Sequence, residues 1–491
     1  MKKFLGTIPL FVVAIPLFFV LHGYVQNFGY IAAGPVLLLA LIYSAGALLL
    51  FGLLLLPYKR RSKAAIAAGF LLCIYFFFGA GYDFLTAHVR SLARYGIVLS
   101  ALGIFVIGLL IGLKRTKRNL GGWQLFFNLL FLIYLGIDLS GLLMRSLQND
   151  RDNTPVLAQQ KMGFVPFSDS AKPDIYLLVF DAYASSLALK EEFHFDNGEF
   201  DQFLTREGFH ILRHSHSNYK FTFFSMPSIL NMSFVPGLDI QRSPLELSKY
   251  LTGLIRENQL MDFLHQQGYE IVNCSSFDLH GNPSPVNGSL LPIKTRLITE
   301  QTLYSRVIRD LGFHFLSYIS IPMFEKTLYQ SLDNDNKLIA LLEAASSRKG
   351  KPRFIYGHFN FPHPPYYYGK QGLKKRVTTF YSGTDEDHAQ DYLDYLYYTN
   401  KRAEEIVSTI KKNTRGNAII VLMGDHGLRY HYMMPGTYPY QVENQNAVYF
   451  PSKDYHLFYD SISGVNEFRV VLNSAFGQHL PLLKDSTVDL K

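Results

Sequence analysis

A chain of 491 residues, 48% hydrophobic and with a formal charge of +8, is long enough for two or three units. The charge excess is local: ten of the 47 Lys and Arg lie in three short segments near the N-terminus, leaving 37 against 39 Asp and Glu, so the basic balance calls for no nucleic-acid partner. Two distant cysteines, Cys73 and Cys274, exclude a disulfide framework.

Five apolar stretches fill the first 145 residues, about Phe4–Val20, Ile31–Leu56, Ala64–Tyr82, Tyr95–Leu113 and Leu120–Leu143. Each approaches the roughly 20 apolar residues that cross a bilayer. The first follows Met1-Lys2-Lys3 but ends without a small-x-small cleavage site, so it reads as a span rather than a removed leader. Lys59, Arg60, Arg61 and Lys63 separate stretches two and three; Lys114, Arg115, Lys117 and Arg118 separate four and five. Both loops lack acids and belong with Lys2 and Lys3 on the cytoplasmic side, which puts everything after Arg145 outside. Trp123 stands where an interfacial anchor would sit. Asn128 and Asp138 lie within the fifth stretch, and Asp138, near its outer end, is expected to be a solvated interfacial acid, with a functional role as the alternative. Residues 146–172 read as a polar linker and 173–491 as one extracytoplasmic domain.

From Pro173 strands and helices alternate. Ile175–Phe180, Phe354–Phe359 and Ala418–Met423 are apolar runs without alternation, as in strands buried on both faces of a parallel sheet. Weaker strands are Phe209–Leu212, Glu270–Cys274 and Ala447–Phe450. Asp201–Glu207, closed by Gly208, and Asp391–Lys412 carry helical periodicity. The pattern predicts a layered α/β sandwich with a mostly parallel central sheet.

In open α/β sheets, active residues collect at the carboxyl ends of strands. The first strong strand runs into Asp181, the last into Gly424-Asp425-His426-Gly427, and the middle one carries His358 with His363 five residues on. Taken singly, each is ordinary turn chemistry. Together, two carboxylates and an imidazole can converge on one divalent cation, Zn, Mn or Mg. Thr222 stands before a helix-like apolar run. It either caps that helix or, at an anion-favouring helix start, acts as a metal-activated nucleophile, with Ser225 as the second choice.

The order strand–Asp181, Thr222-x-x-Ser-x-Pro, His358-x4-His363-x-Pro-x-Tyr, long helix, Asp425-His426-Gly resembles the alkaline phosphatase/sulfatase superfamily. Within it the chain is similar to membrane-bound lipid A phosphoethanolamine transferases and lipoteichoic acid synthases, which join five N-terminal spans to one extracytoplasmic catalytic domain. The resemblance implies a bacterial cytoplasmic (inner) membrane protein, membrane-embedded and multi-pass. It implies metal ligation by Asp181, Thr222, Asp425 and His426, with Thr222 as nucleophile and His358 and His363 binding the substrate phosphate or protonating the leaving group. His431 is a further candidate, and Asn218 and Tyr219 are expected to shape the pocket. The implied reaction moves a phospho-head group, of phosphoethanolamine or phosphoglycerol type, from a membrane phospholipid donor to a lipid or glycan acceptor. Two departures stand: Asp181 occupies a place where the transferases carry Glu, and Ser225-Met-Pro-Ser-Ile lacks the Cys and Arg of the sulfatase signature. Hydrolysis of a phosphate or sulfate ester, or an inactive lipid-sensing role, are the alternatives. The loops Asn282–Arg296 and Phe361–Arg376 are expected to read the substrate.

Overall fold

The computed structural model describes residues 6–152, 162–165, 167, 172–238, 244–287, 293–318, 329–375, 385–429 and 439–490. The chain forms two compact units, Met1–Asn153 with Asn287–Phe315, and Thr154–Val286 with Leu316–Lys491.

The first unit is built from apolar helices: α1 (Phe11–Gln26), α2 (Ala33–Tyr58), α3 (Arg61–His88), α4 (Tyr95–Arg115) and α5 (Gly121–Asp152). Four of them, α2 to α5, are long and apolar enough to cross a membrane. Five spans were expected, but α1 has only 16 residues, about 24 Å at 1.5 Å per residue, short of a roughly 30 Å hydrocarbon core. Pro9 interrupts the apolar run, and Asn128 on α5 marks the new start, accepting from Phe11 N–H (2.8 Å) and donating to Ile8 O (2.7 Å). α1 is the inner helix of the unit, with Phe11, Ile15, Phe19 and Val20 buried. No residue of α4 is buried. A helix of that apolarity without a buried residue needs a lipid solvent, and this unit is a membrane-spanning part of the chain.

Three expectations change here. The helix α5 runs on to Asp152, so the expected linker begins as helix. Asp138 is only 7% exposed, and its Oδ1 lies 3.1 Å from His22 Nδ1, so it is a bundle residue rather than a solvated acid. The segment Asn287–Phe315, read from sequence as part of the outer domain, belongs with the spans. Ile298 packs over Gly23, Arg306 pairs with Asp83, and Asp310 accepts from the Tyr95 hydroxyl.

The second unit is organised by a six-stranded sheet of order β2-β6-β5-β1-β4-β3, with β1 Asp174–Phe180, β2 His210–Ile211, β3 Glu270–Cys274, β4 Arg353–Phe359, β5 Ala418–Gly424 and β6 Asn446–Tyr449. The sheet is mixed: β5, β1, β4 and β3 pair in parallel, and β6 and β2 join antiparallel at one edge. Each expected strand has its counterpart. Helices cover both faces: on one side α6 (Thr222–Asn231), on the other α7 (Gln330–Ser347) and α8 (Asp385–Thr414), and α9 (Gly464–Phe476) beside α6.

Alternation along β1 sorts the core. Tyr176, Leu178 and Phe180 pack with Leu338 and Leu342 of α7 and Tyr392, Leu396 and Ile406 of α8. Ile175, Leu177 and Val179 pack with Met226, Ile229 and Leu230 of α6 and Phe468 and Leu472 of α9. Both faces of the central strands are therefore dry, which is why their sequences do not alternate.

At the amino ends of β1 and β4, Asp174 accepts from Arg353 N–H (2.8 Å) and pairs with its guanidinium, with side chains only 13% and 6% exposed. Breaking a buried pair leaves an uncompensated charge, at about 3–5 kcal/mol. Arg353→Met is expected to destabilise the α/β unit by about that much, read as a lower urea midpoint; an unchanged midpoint would show the pair to be dispensable.

Candidate active site

The same alternation that buries Ile175, Leu177 and Val179 continues past the strand end to Asp181. In β5 it runs from Met423 to Asp425, and in β4 from Tyr356 to His358. The parallel register sets Val179 beside His358 and Phe180 beside Gly424. Three strand ends thereby deliver their polar residues to one place, on the α6 side of the sheet.

Asp181, Asp425 and His426 offer ligand atoms within 4.8 Å of one another. Asp425 is fully buried, and its Oδ1 accepts from Ala182 N–H and His426 N–H, both at 3.0 Å. Ala182 adopts a left-handed conformation (φ 63°), uncommon for a residue with a Cβ, to make that turn. The two glycines of the Gly-Asp-His-Gly run are steric necessities. A Cβ on Gly424 would stand 2.4 Å from Tyr183 O, and one on Gly427 2.0 Å from Tyr440 O.

His426 Nδ1 lies 2.7 Å from Gly427 O, which can only accept, so Nδ1 carries the proton and Nε2 presents its lone pair. Nε2 is 3.5 Å from Asp181 Oδ1 and 3.6 Å from Asp425 Oδ2. Thr222 is the first residue of α6, its Oγ1 3.4 Å from Asp181 Oδ1 and 3.3 Å from His426 Nε2. It does not cap the helix; Phe221 holds that position without a side-chain hydrogen bond.

The electrostatics are those of a site short of positive charge. Burial and the neighbouring Asp425 push Asp181 well above the usual carboxylate range, with Arg429 pulling it back. Burial opposes the Asp425 charge too, but His426 and His358 hold that carboxyl below its ordinary value. Burial keeps His426 below the usual imidazole range. Asp425 Oδ2 is buried and accepts no hydrogen bond among the described residues, an arrangement costly for a carboxylate unless a cation satisfies it. Two carboxylates, one unprotonated imidazole nitrogen and a hydroxyl fit a divalent ion.

Residues 253–461 match the family model described as Sulfatase. This part of the chain is similar to that family. Among solved structures, the chain is similar to the C-terminal periplasmic domain of phosphoethanolamine transferase EptC from Campylobacter jejuni (16% identity over 64% of this chain and 92% of that one, TM-score 0.40). It is also similar to the corresponding EptC domain from Escherichia coli in complex with Zn (12%, 65% and 87%, 0.40) and to a sulfatase structure from Bacteroides thetaiotaomicron (14%, 62% and 72%, 0.42). No curated protein matches.

The remaining expected site residues divide. His358 is buried against Phe277 and accepts at Nδ1 from, or donates to, the Tyr356 hydroxyl at 2.8 Å. Burial pushes its pKa down to about 4. His363 lies on the turn after β4 and contacts Arg429 rather than the Asp181 cluster, its Nε2 3.1 Å from Arg429 Nη2. Ser225 is not an alternative nucleophile: it is buried and donates to Tyr219 O (2.8 Å). Asn218 and Tyr219 are framework rather than pocket. Asn218 accepts from Val465 N–H and donates to Ser486 O, and the Tyr219 hydroxyl accepts from Val235 N–H. Tyr366 and Tyr367, expected in a substrate loop, are core residues. His431 and residues 288–292 lie outside the described residues.

Two residues escaped sequence reading. Arg429 follows His426 by three positions in Asp-His-Gly-Leu-Arg, a visible but unspecific signal. Asp335, on α7, has none: it is an acid at a core position of the helix. It accepts from Asn360 N–H (2.9 Å) and so holds the turn between His358 and His363. Burial raises its pKa from 3.8 to about 8, although backbone donors oppose the rise. Between those values the folded chain keeps a proton that the unfolded chain has lost, so stability from this group is present at low pH and declines as pH rises towards about 8. Asp335→Asn is expected to flatten the fall of the unfolding midpoint between about pH 5 and 8; an identical slope would rule the assignment out.

Proposed function

We propose that this protein transfers a phospho-head group, of phosphoethanolamine or phosphoglycerol type, from a membrane phospholipid to a lipid or glycan of the cell envelope through a covalent intermediate on Thr222. The observation that carries this reading is the Thr222 hydroxyl, at the start of α6, 3.4 Å from Asp181 and 3.3 Å from His426. A hydroxyl that neither caps its helix nor bonds to the backbone, placed beside two acids and an imidazole, has the surroundings of a nucleophile.

Asp181, Thr222, Asp425 and His426 would hold one divalent cation, Zn, Mn or Mg. When bound it supplies a Lewis acid that lowers the hydroxyl pKa and offsets phosphoryl charge. Thr222 Oγ1 gives its proton to water and bonds to phosphorus as the bond from phosphorus to the diacylglycerol oxygen breaks. That oxygen takes a proton, with His358 as the proposed donor. The acceptor hydroxyl then returns a proton to His358 and bonds to phosphorus, the bond to Oγ1 breaks, and Thr222 regains its proton from water. The amide N–H groups of the first turn of α6 favour the phosphoryl oxygens.

The membrane unit supports a lipid donor, because an anchor raises the effective concentration of a bilayer substrate. We place it as a multi-pass domain of the bacterial cytoplasmic (inner) membrane, with α1 as a fifth, inner segment. Lys59–Lys63 and Lys114–Arg118 then lie inside and the α/β domain outside. Asp181 in place of Glu favours a second reading, in which water is the acceptor and the same residues hydrolyse a phosphate or sulfate ester. The complete donor set speaks against an inactive lipid sensor.

Incubating the full chain with vesicles of bacterial phospholipid is expected to add a head-group mass that is absent in Thr222→Ala and kept in Ser225→Ala. Loss of the adduct in both, or in neither, would reject Thr222 as its site. Multiple turnover without a lipid or glycan acceptor would select hydrolysis. Chelation, and separately Asp425→Asn, is expected to remove bound metal and lower turnover at least about 100-fold; full activity in a metal-free preparation would end the metal-dependent reading.

A further inference from the structure

Arg429 is half-buried beside the site. Its guanidinium carbon stands 5.0 Å from the centre of the Phe221 ring, the residue directly before Thr222. Its charge acts on Asp181, His426 and His363. A guanidinium offers five N–H donors, yet among the described residues Arg429 makes one hydrogen bond, to His363 Nε2, and no ion pair with a carboxylate. A planar fork with spare donors, held by a ring face beside the nucleophile, matches the oxygens of a tetrahedral oxyanion.

The His363 contacts settle its protonation. Nδ1 lies 2.7 Å from Pro364 O, which can only accept, so Nδ1 carries a hydrogen. Nε2 faces a guanidinium, which can only donate, so Nε2 carries none. Both ring nitrogens are committed, and His363 has no proton to give on the side of the site.

We propose that Arg429 is the oxyanion-binding residue of this site, gripping the phosphoryl group beside Thr222, and that His363 is a positioning residue that orients Arg429 rather than a proton donor. This rests on reading the site as one for phosphate or sulfate esters.

The test is calorimetric binding of inorganic phosphate to the purified full chain, with metal content and unfolding midpoint measured on each variant. Arg429→Ala is expected to weaken phosphate at least about tenfold at unchanged metal content, and Arg429→Lys to weaken it less, since an ammonium lacks the fork. His363→Gln, whose amide oxygen can still accept from Arg429, should bind phosphate nearly as wild type does. His363→Leu should lose as much as Arg429→Ala, and the double variant Arg429→Ala/His363→Leu no more than either. Wild-type affinity in Arg429→Ala, or no phosphate binding by the wild type, would overturn the clamp. If Arg429→Ala does not fold, unchanged affinity in Arg429→Lys does the same. Equal losses in His363→Gln and His363→Leu would overturn the positioning role. Phosphate binding that depends on Arg429 without any Thr222 adduct would leave this inference standing and reject the transferase reading instead.

Discussion

The parallel pairing of β1 between β4 and β5 is the constraint on which the α/β unit depends. It aligns Val179 with His358 and Phe180 with Gly424, so three strands end at one level and their next residues share one face. A shift of one residue in either ladder would send Asp425 or His358 to the opposite face, into the packing of α7 and α8. The apolar residues on both faces make such a slip expensive, because each would bring a polar group into a dry layer. Core packing and site geometry are therefore one requirement: the residues that fill the sandwich also set where the acids stand.

Charge is the second requirement. Asp181 and Asp425 lie close together in a buried place, and burial opposes ionisation of both. The chain supplies partial relief through backbone N–H groups on Asp425 Oδ1 and through the nearby Arg429. Among the described residues it leaves Asp425 Oδ2 without a donor. A site that concentrates negative charge and keeps an imidazole lone pair open is prepared for a cation, and a hydroxyl at its edge gains acidity when one is present. Asp335 shows the opposite solution to the same problem: with no cation-binding companions among the described residues it keeps its proton and serves as a structural acceptor for the turn after β4.

The membrane unit obeys a different solvent. α4 has no fully buried residue, whereas α1 is enclosed by its neighbours. Some polar groups inside this unit find partners within it, as Asn128 does in the chain ahead of α1 and Asp138 Oδ1 in His22. The returning segment that carries Ile298, Arg306 and Asp310 adds its own apolar contact and ion pair to the spans.

Much was legible in the sequence because it is written in local patterns. Unbroken apolar runs gave away β1, β4 and β5, since a strand buried on both faces has no reason to alternate. Asp181, Asp425 and His426 were readable from their places after those runs, and Thr222 from its place before an apolar helix. Other features depend on residues distant in the chain. The antiparallel edge of β6 and β2 follows from how the chain returns to the sheet, which no local pattern encodes. The short α1 depends on Asn128, more than a hundred residues away. Tyr366 and Tyr367 look like a binding loop until α8 is placed over them. Asn218 and Ser225 look available until Val465 and Tyr219 take their polar atoms. Arg429 and His363, 66 positions apart, acquire a shared role only when the turn after β4 meets the chain leaving β5. The sequence by itself determined the strands, the apolar helices and the chemical kinds of the site residues, because periodicity and residue type are local. The tertiary structure alone decided which polar atoms remain free for chemistry, because that depends on partners the chain brings from elsewhere.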